Sequence, residues 1–119
     1  MGVFRRWLAR FSESDEERLA SETRAWADSV PGSVRIAGAD LRQPVKIAGV
    51  VRRITVLPVE GAEALEALIS DGSGEVVAVF MGRRGIGGLS LGSRVVAEGV
   101  LSEQHGELRI VNPRLEFAR

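Results

Sequence analysis

V-K-I-A-G-V-V-R-R-I-T-V, residues 45–56, has a period of two: Val45, Ile47, Gly49 and Val51 point one way and the residues between them the other, the pattern of a half-buried strand. Gly49 has no side chain, so the strand can bulge or bend sharply there and join both sheets of a closed structure. A second strand follows at about residues 64–70, where Leu65, Ala67 and Ile69 alternate with Glu66, Leu68 and Ser70. Asp71-Gly72-Ser73-Gly74 reads as a hairpin, because glycine supplies the positive φ that tight turns need. A third strand runs from Glu75 to Met81. Residues 82–92 hold too many glycines for a long helix, and one short turn around Ile86 to Leu91 is the most expected there. The fourth strand spans about residues 93–101, with a turn at residues 102–106. The fifth spans Leu108 to Asn112, and Pro113 interrupts donation before Leu115 and Phe117. Five short strands at this spacing predict a mainly β sandwich or barrel.

Upstream of these strands the period changes to that of a helix. Phe4, Trp7, Leu8 and Phe11 share one side of residues 2–11, with Arg5, Arg6 and Arg10 opposite, which predicts a short basic amphipathic helix. Ser14 followed by Glu17 fits a capping box and predicts a second helix over residues 12–30, with Leu19, Thr23, Trp26 and Val30 on one face. Pro31-Gly32 ends it. Two units are therefore expected: a helical N-terminal extension over residues 1–32 and a barrel over residues 33–119.

Composition removes several kinds of chemistry. The chain has 119 residues, no cysteine and one histidine, His105, so disulfides, thiolate metal sites and cysteine nucleophiles are excluded and a zinc site is disfavoured. No apolar run approaches the roughly 20 residues that span a bilayer. With no signal-peptide pattern at the N-terminus, the cytoplasm is the default location. Gly88-Leu-Ser90-Leu-Gly92 matches G-x-S-x-G but lacks the helix that must follow a nucleophilic serine. The only lysine is Lys46, so there is no Walker lysine. A non-enzymatic protein without cofactors is the expectation. Sixteen basic and sixteen acidic residues balance, so the chain as a whole has no bias toward polyanions.

The series V-x-I-x-G-V-V, L-I-S-D-G-S-G-E-V-V-A-V-F, L-G-S-R-V-V-A-E-G-V-L and L-R-I-V-N-P-R-L-E resembles the OB-fold nucleic-acid-binding family over about residues 34–117. It is similar to the wedge domain of the bacterial branch-migration helicase and to small stand-alone OB proteins of high-GC Gram-positive bacteria. The resemblance implies a five-stranded OB barrel and single-stranded or junction nucleic acid as the ligand class. In that fold strands two and three and the adjoining loops form the binding face. Arg52, Arg53, Arg83, Arg84 and Arg109 are then the candidate phosphate contacts, and Phe80 is either a stacking platform or a core residue. The competing account of the arginines is pairing with Glu60, Glu63, Glu66, Glu98 or Glu107 on an ordinary surface. Gly82-Arg83-Arg84-Gly85 also matches the G-x-x-G loop of KH domains, although its flanks differ from theirs.

Charge neutrality, few barrel aromatics and two tryptophans in the extension support a second reading, a protein-interaction or self-association module docking through residues 4–30. Membrane-surface association through the aromatic stripe ranks third, because three turns with three arginines make a marginal anchor.

Overall fold

The computed structural model describes residues 2–118, with side chains from residue 14 onward. Among these residues, helix α1 (Gly2–Ser29) precedes strands β1 (Pro44–Val59), β2 (Ala62–Ser70), β3 (Glu75–Met81), β4 (Arg94–Gln104), β5 (Glu107–Val111) and β6 (Arg114–Phe117). β1 pairs with β2, β2 with β3, β3 with β5, β5 with β4, and β4 with β1. That ring of five strands, with β3 and β5 parallel and the other pairs antiparallel, is an OB barrel. β6 is an addition to the expected five. It pairs with β4 through Val95↔Phe117 to Glu98↔Arg114.

The barrel closes because β1 serves both sides of it. Its first half pairs with β4 as far as Val50↔Arg94, and its second half pairs with β2 from Val50↔Ser70 onward. Gly49 lies at the change of partner, as the sequence anticipates. A Cβ there would stand 2.6 Å from the Ser70 carbonyl oxygen and 2.7 Å from Ile69 Cγ2, so only glycine lets the two strands approach this closely. A register shift between Val51 and Arg53 follows. The extra residue moves the inward set from odd positions (Ile47, Val51) to even ones such as Ile54, because strand sides alternate.

Ile47, Val51, Leu65, Ala67, Ile69, Val76, Ala78, Val95, Ala97, Leu101 and Ile110 fill the interior. Phe80 is 7% exposed and belongs to the same cluster, which settles it as a core residue. Ile86 and Leu89 of the β3–β4 loop pack against this core, and no helix forms in that loop. The segment before β1, which holds Val34 and Ile36, is irregular. Ile36 is nevertheless 2% exposed and plugs the core.

α1 corrects the expected pair of helices, because it runs unbroken through Ser14. Neither glycine nor proline lies between residues 3 and 30 to stop it, so the capping-box residues sit in mid-helix. The stripe Phe4, Trp7, Leu8 and Phe11 lies outside the described side chains. Further along, Thr23 and Ala27 are buried, and Trp26 and Val30 pack with Ala27 on Ala48 of β1 and Val96 of β4. Leu19, expected on that face, remains 44% exposed.

Asp71 secures the helix to the barrel. Its side chain is fully buried and lies 2.8 Å from Arg24 Nη1, and Arg24 Nη1 also donates to the Asp71 carbonyl. Asp71 Oδ2 accepts from the Ile36 N–H, while Oδ1 accepts from the N–H groups of Ser73 and Gly74 and from Ser73 Oγ. Burial opposes the charge, but these hydrogen bonds outweigh it and hold the carboxyl below the ordinary carboxylate range.

Two outcomes follow. Gly49→Ala should cost about 2 kcal/mol or more in urea unfolding, because the clash is with backbone. Asp71→Asn should cost about 3 kcal/mol at neutral pH, since it leaves Arg24 partly unpaired. A lowered folded pKa means that Asp71 contributes fully above the unfolded value near 3.9 and loses its contribution as pH falls through the folded value. The gap between wild type and Asp71→Asn in urea unfolding should therefore be constant from about pH 7 to 5 and narrow below about 4.

Candidate nucleic-acid interface

Residues paired across strands share a face, so the registers lay out the outer surface of β1, β2, β3 and β5. Leu57, Ala64 and Met81 form one row. Thr55, Glu66, Val79 and Val111 form the next, followed by Arg53, Leu68, Val77 and Arg109. Beyond them lie Ser70 and Glu75, with Glu107 two residues before Arg109 on β5. Leu57, Met81 and Val111 are 38%, 44% and 51% exposed. Ala64, Val77 and Val79 form a buried apolar cluster with Leu68. The surface is an aliphatic strip toward the β1–β2 turn and a charged band toward the β4–β5 turn.

Both flanking turns are tight. Glu60 and Gly61 have φ of 39° and 81°, and His105 and Gly106 have φ of 53° and 79°. Positive φ at both central residues marks type I′ hairpins, whose twist matches that of the strands they join. Neither turn arches over the sheet, so the strip lies open between them. At the β3–β5 side the Asn112 N–H donates to the Val79 carbonyl at 2.6 Å, and the Met81 N–H donates to Asn112 Oδ1 at 2.9 Å. This side-chain bridge fixes the parallel pair just where Pro113 ends it.

Arg53 projects from this face and lines a shallow cleft of about 440 Å³ with Leu68, Glu75, Val77, Gly106, Glu107 and Leu108. Arg83 is exposed in the loop after β3. Neither forms an ion pair among the described residues. Arg84 lies 2.7 Å from Glu63 at the start of β2. Arg109 is held more firmly: Nη2 donates to Glu66 Oε2 at 2.9 Å and Nη1 to Glu107 Oε1 at 2.8 Å, with the side chain 20% exposed.

Arg52 sits elsewhere. It lies beside α1, where it lines one groove with Glu16, Glu17 and Ala20 and another with Leu19, Glu22, Thr23, Leu91 and Arg94. Arg94 itself lies over the Trp26 ring, 5.1 Å from its centroid. The five candidate arginines therefore do not converge. Arg53 and Arg109 share the outer face, Arg83 and Arg84 lie in the loop after β3 with Arg84 held by Glu63, and Arg52 lies beside α1. Phe80 points into the core beneath that face, so no ring is offered to a base there.

The remaining sequence candidates fall away from any reactive arrangement. Ser90 Oγ pairs with Ser93 Oγ at 3.0 Å, and His105 stands exposed in the β4–β5 turn. Among the described residues no group of three His, Cys, Asp or Glu side chains is placed to hold a metal ion. No described helix is long and apolar enough to cross a membrane. The competing account of the arginines, pairing with nearby glutamates, holds for two of the five: Arg84 meets Glu63, and Arg109 meets both Glu66 and Glu107. Which glutamate each would meet was not legible, because the strands of Glu66 and Arg109 are joined only through β3.

No family model matches this sequence, and no curated protein matches it. Among solved structures, a chain of a replication protein A heterotrimer bound to ssDNA is similar, with 16% identity over 76% of this chain and 68% of that one and a TM-score of 0.53. At that identity the likeness is one of fold.

Ion pairing makes Arg109 part of the face's structure. Arg109→Ala should leave Glu66 and Glu107 facing each other across the sheet and cost about 1–2 kcal/mol in urea unfolding, whereas Arg53→Ala should stay within about 0.5 kcal/mol of wild type.

Proposed function

We propose that this protein binds single-stranded nucleic acid, including the unpaired arms of branched molecules, across the outer face of β1, β2 and β3. The observation that carries the reading is a row of exposed aliphatic residues on the ligand-binding side of an OB barrel, with Arg53 on the same face and Arg83 exposed in the loop that follows Met81, neither in an ion pair among the described residues. The similar replication protein A chain belongs to a heterotrimer bound to ssDNA, which supports the same ligand class. Bases would lie on Val111, Met81 and Leu57, and phosphates would meet Arg53, Arg83 and, at the expense of Glu63, Arg84. The reaction is binding alone.

The geometry also sets the strength. Stacking on aromatic rings contributes about 1–3 kcal/mol per base in single-strand binders, and aliphatic contacts contribute less. Glu66, Glu75 and Glu107 lie on the same face, so few phosphates are neutralised. Affinity on the order of micromolar at low salt is expected, with log K falling against log salt at a slope of roughly −2.

Fluorescence anisotropy of a labelled single strand across a salt series tests this. Arg53→Ala and Arg83→Ala should each weaken binding about threefold to tenfold and reduce the slope by about 0.7. Arg52→Ala, on the α1 side, should change neither. Absence of binding even at low salt overturns the reading.

The exposed aliphatic residues Leu57, Val59, Met81 and Val111 favour one second reading, a protein partner seated on the same strip. Burial of aliphatic surface is insensitive to salt. Self-association in sedimentation that persists at high salt and is lost in Met81→Glu would favour it.

A further inference from the structure

We infer that Glu66 reads base identity, selecting bases that offer an exocyclic amino group (cytosine, adenine and guanine) over thymine and uracil. The inference rests on the proposed binding reading and names the chemistry of its ligand. Glu66 stands in the middle row of the face, between Thr55 on β1 and Val79 on β3. Ala64 and Leu68 flank it on its own strand, on the same side of the sheet. A carboxylate in the centre of a surface meant for a polyanion repels that ligand unless its charge is balanced. Arg109 supplies the balance through the 2.9 Å bond to Oε2.

The same bond orients the carboxylate. With Oε2 occupied, Oε1 has no hydrogen bond among the described residues, and the side chain is 20% exposed. Glu66 is thus a fixed acceptor whose Oε1 has no hydrogen bond among the described residues, set between Thr55 and Val79. Adjacent strands lie about 4.8 Å apart, so a base seated on exposed Val111, at the end of the same row, and extending across the covered Val79 points its Watson–Crick edge toward Oε1. Cytosine N4 and adenine N6 amino groups donate to such an oxygen, as do guanine N1 and N2. Thymine and uracil place carbonyl oxygens on both sides of their single N–H, so the approaching carboxylate meets at least one like dipole.

Glu107 provides the control. It holds the other side of Arg109 at 2.8 Å but stands at the β4–β5 end of the face. Removing its charge alters the field felt by phosphate without altering the acceptor in the centre.

Labelled dC and dT single strands of about twelve nucleotides, within the usual site size of an OB fold, test the inference by anisotropy at neutral pH and fixed low salt. Wild type should bind the dC strand about tenfold more tightly. Glu66→Gln and Glu66→Ala should bind both strands at least as tightly as wild type while bringing the ratio toward one. Glu107→Gln should also tighten binding of both strands but keep the ratio. Equal binding of dC and dT by wild type, or an unchanged ratio in both Glu66 variants, overturns the inference and leaves the binding reading intact. No binding of either strand overturns both.

Discussion

The buried carboxylate of Asp71 is the point at which three separate parts of the chain are held together. It lies in the β2–β3 turn, accepts from the Ile36 N–H of the segment before β1, and pairs with Arg24 of α1. Taking a carboxylate out of water costs several kcal/mol unless donors replace the lost hydration. Four N–H or O–H groups and one guanidinium do so here. Because those donors come from distant segments, the charge is tolerated only when α1, the Ile36 plug and the turn are all in place. A side chain that reads in the sequence as an ordinary hairpin residue therefore acts as a coincidence requirement for the fold.

That arrangement divides the surface in two. α1 covers the outside of the first half of β1 and of β4 through Trp26, Ala27 and Val30, and the bend at Gly49 turns the second half of β1 away from the helix. The face of β1, β2 and β3 is left open as a consequence. The bulge after Val51 leaves both neighbouring arginines on the outer side of the sheet, Arg52 beside the helix and Arg53 on the open face. One side of the end of α1 is engaged with its own barrel, with Thr23 and Ala27 buried and Trp26 packed beside Ala27.

Much of the fold was legible in the residues. Alternation in Leu65, Ala67 and Ile69, the Asp71–Gly74 turn and the glycine at 49 each have a local physical cause, and each is found as expected. The helix boundary was misread for a reason equally local. Ser14 and Glu17 satisfy the chemistry of a cap, but a cap forms only where the preceding residue leaves helical geometry, and nothing before Ser14 forces it to. Phe80 shares strand parity with Val76 and Ala78, which leaves its side undecided until the barrel closes around it.

The candidate site was legible in kind and not in arrangement. Sequence alone determined that strands β1 to β5 would alternate, that the chain would bend at Gly49, and that cysteine and multi-histidine chemistry were absent. These follow from residue type and spacing within a few positions. Which arginines keep their charge available was decided only by the tertiary structure. Arg109 meets Glu66 across 43 positions and Arg84 meets Glu63 from the next strand's end, while Arg53 and Arg83 form no ion pair among the described residues. Electrostatic pairing depends on distances of a few ångströms between segments that only the closed barrel brings together.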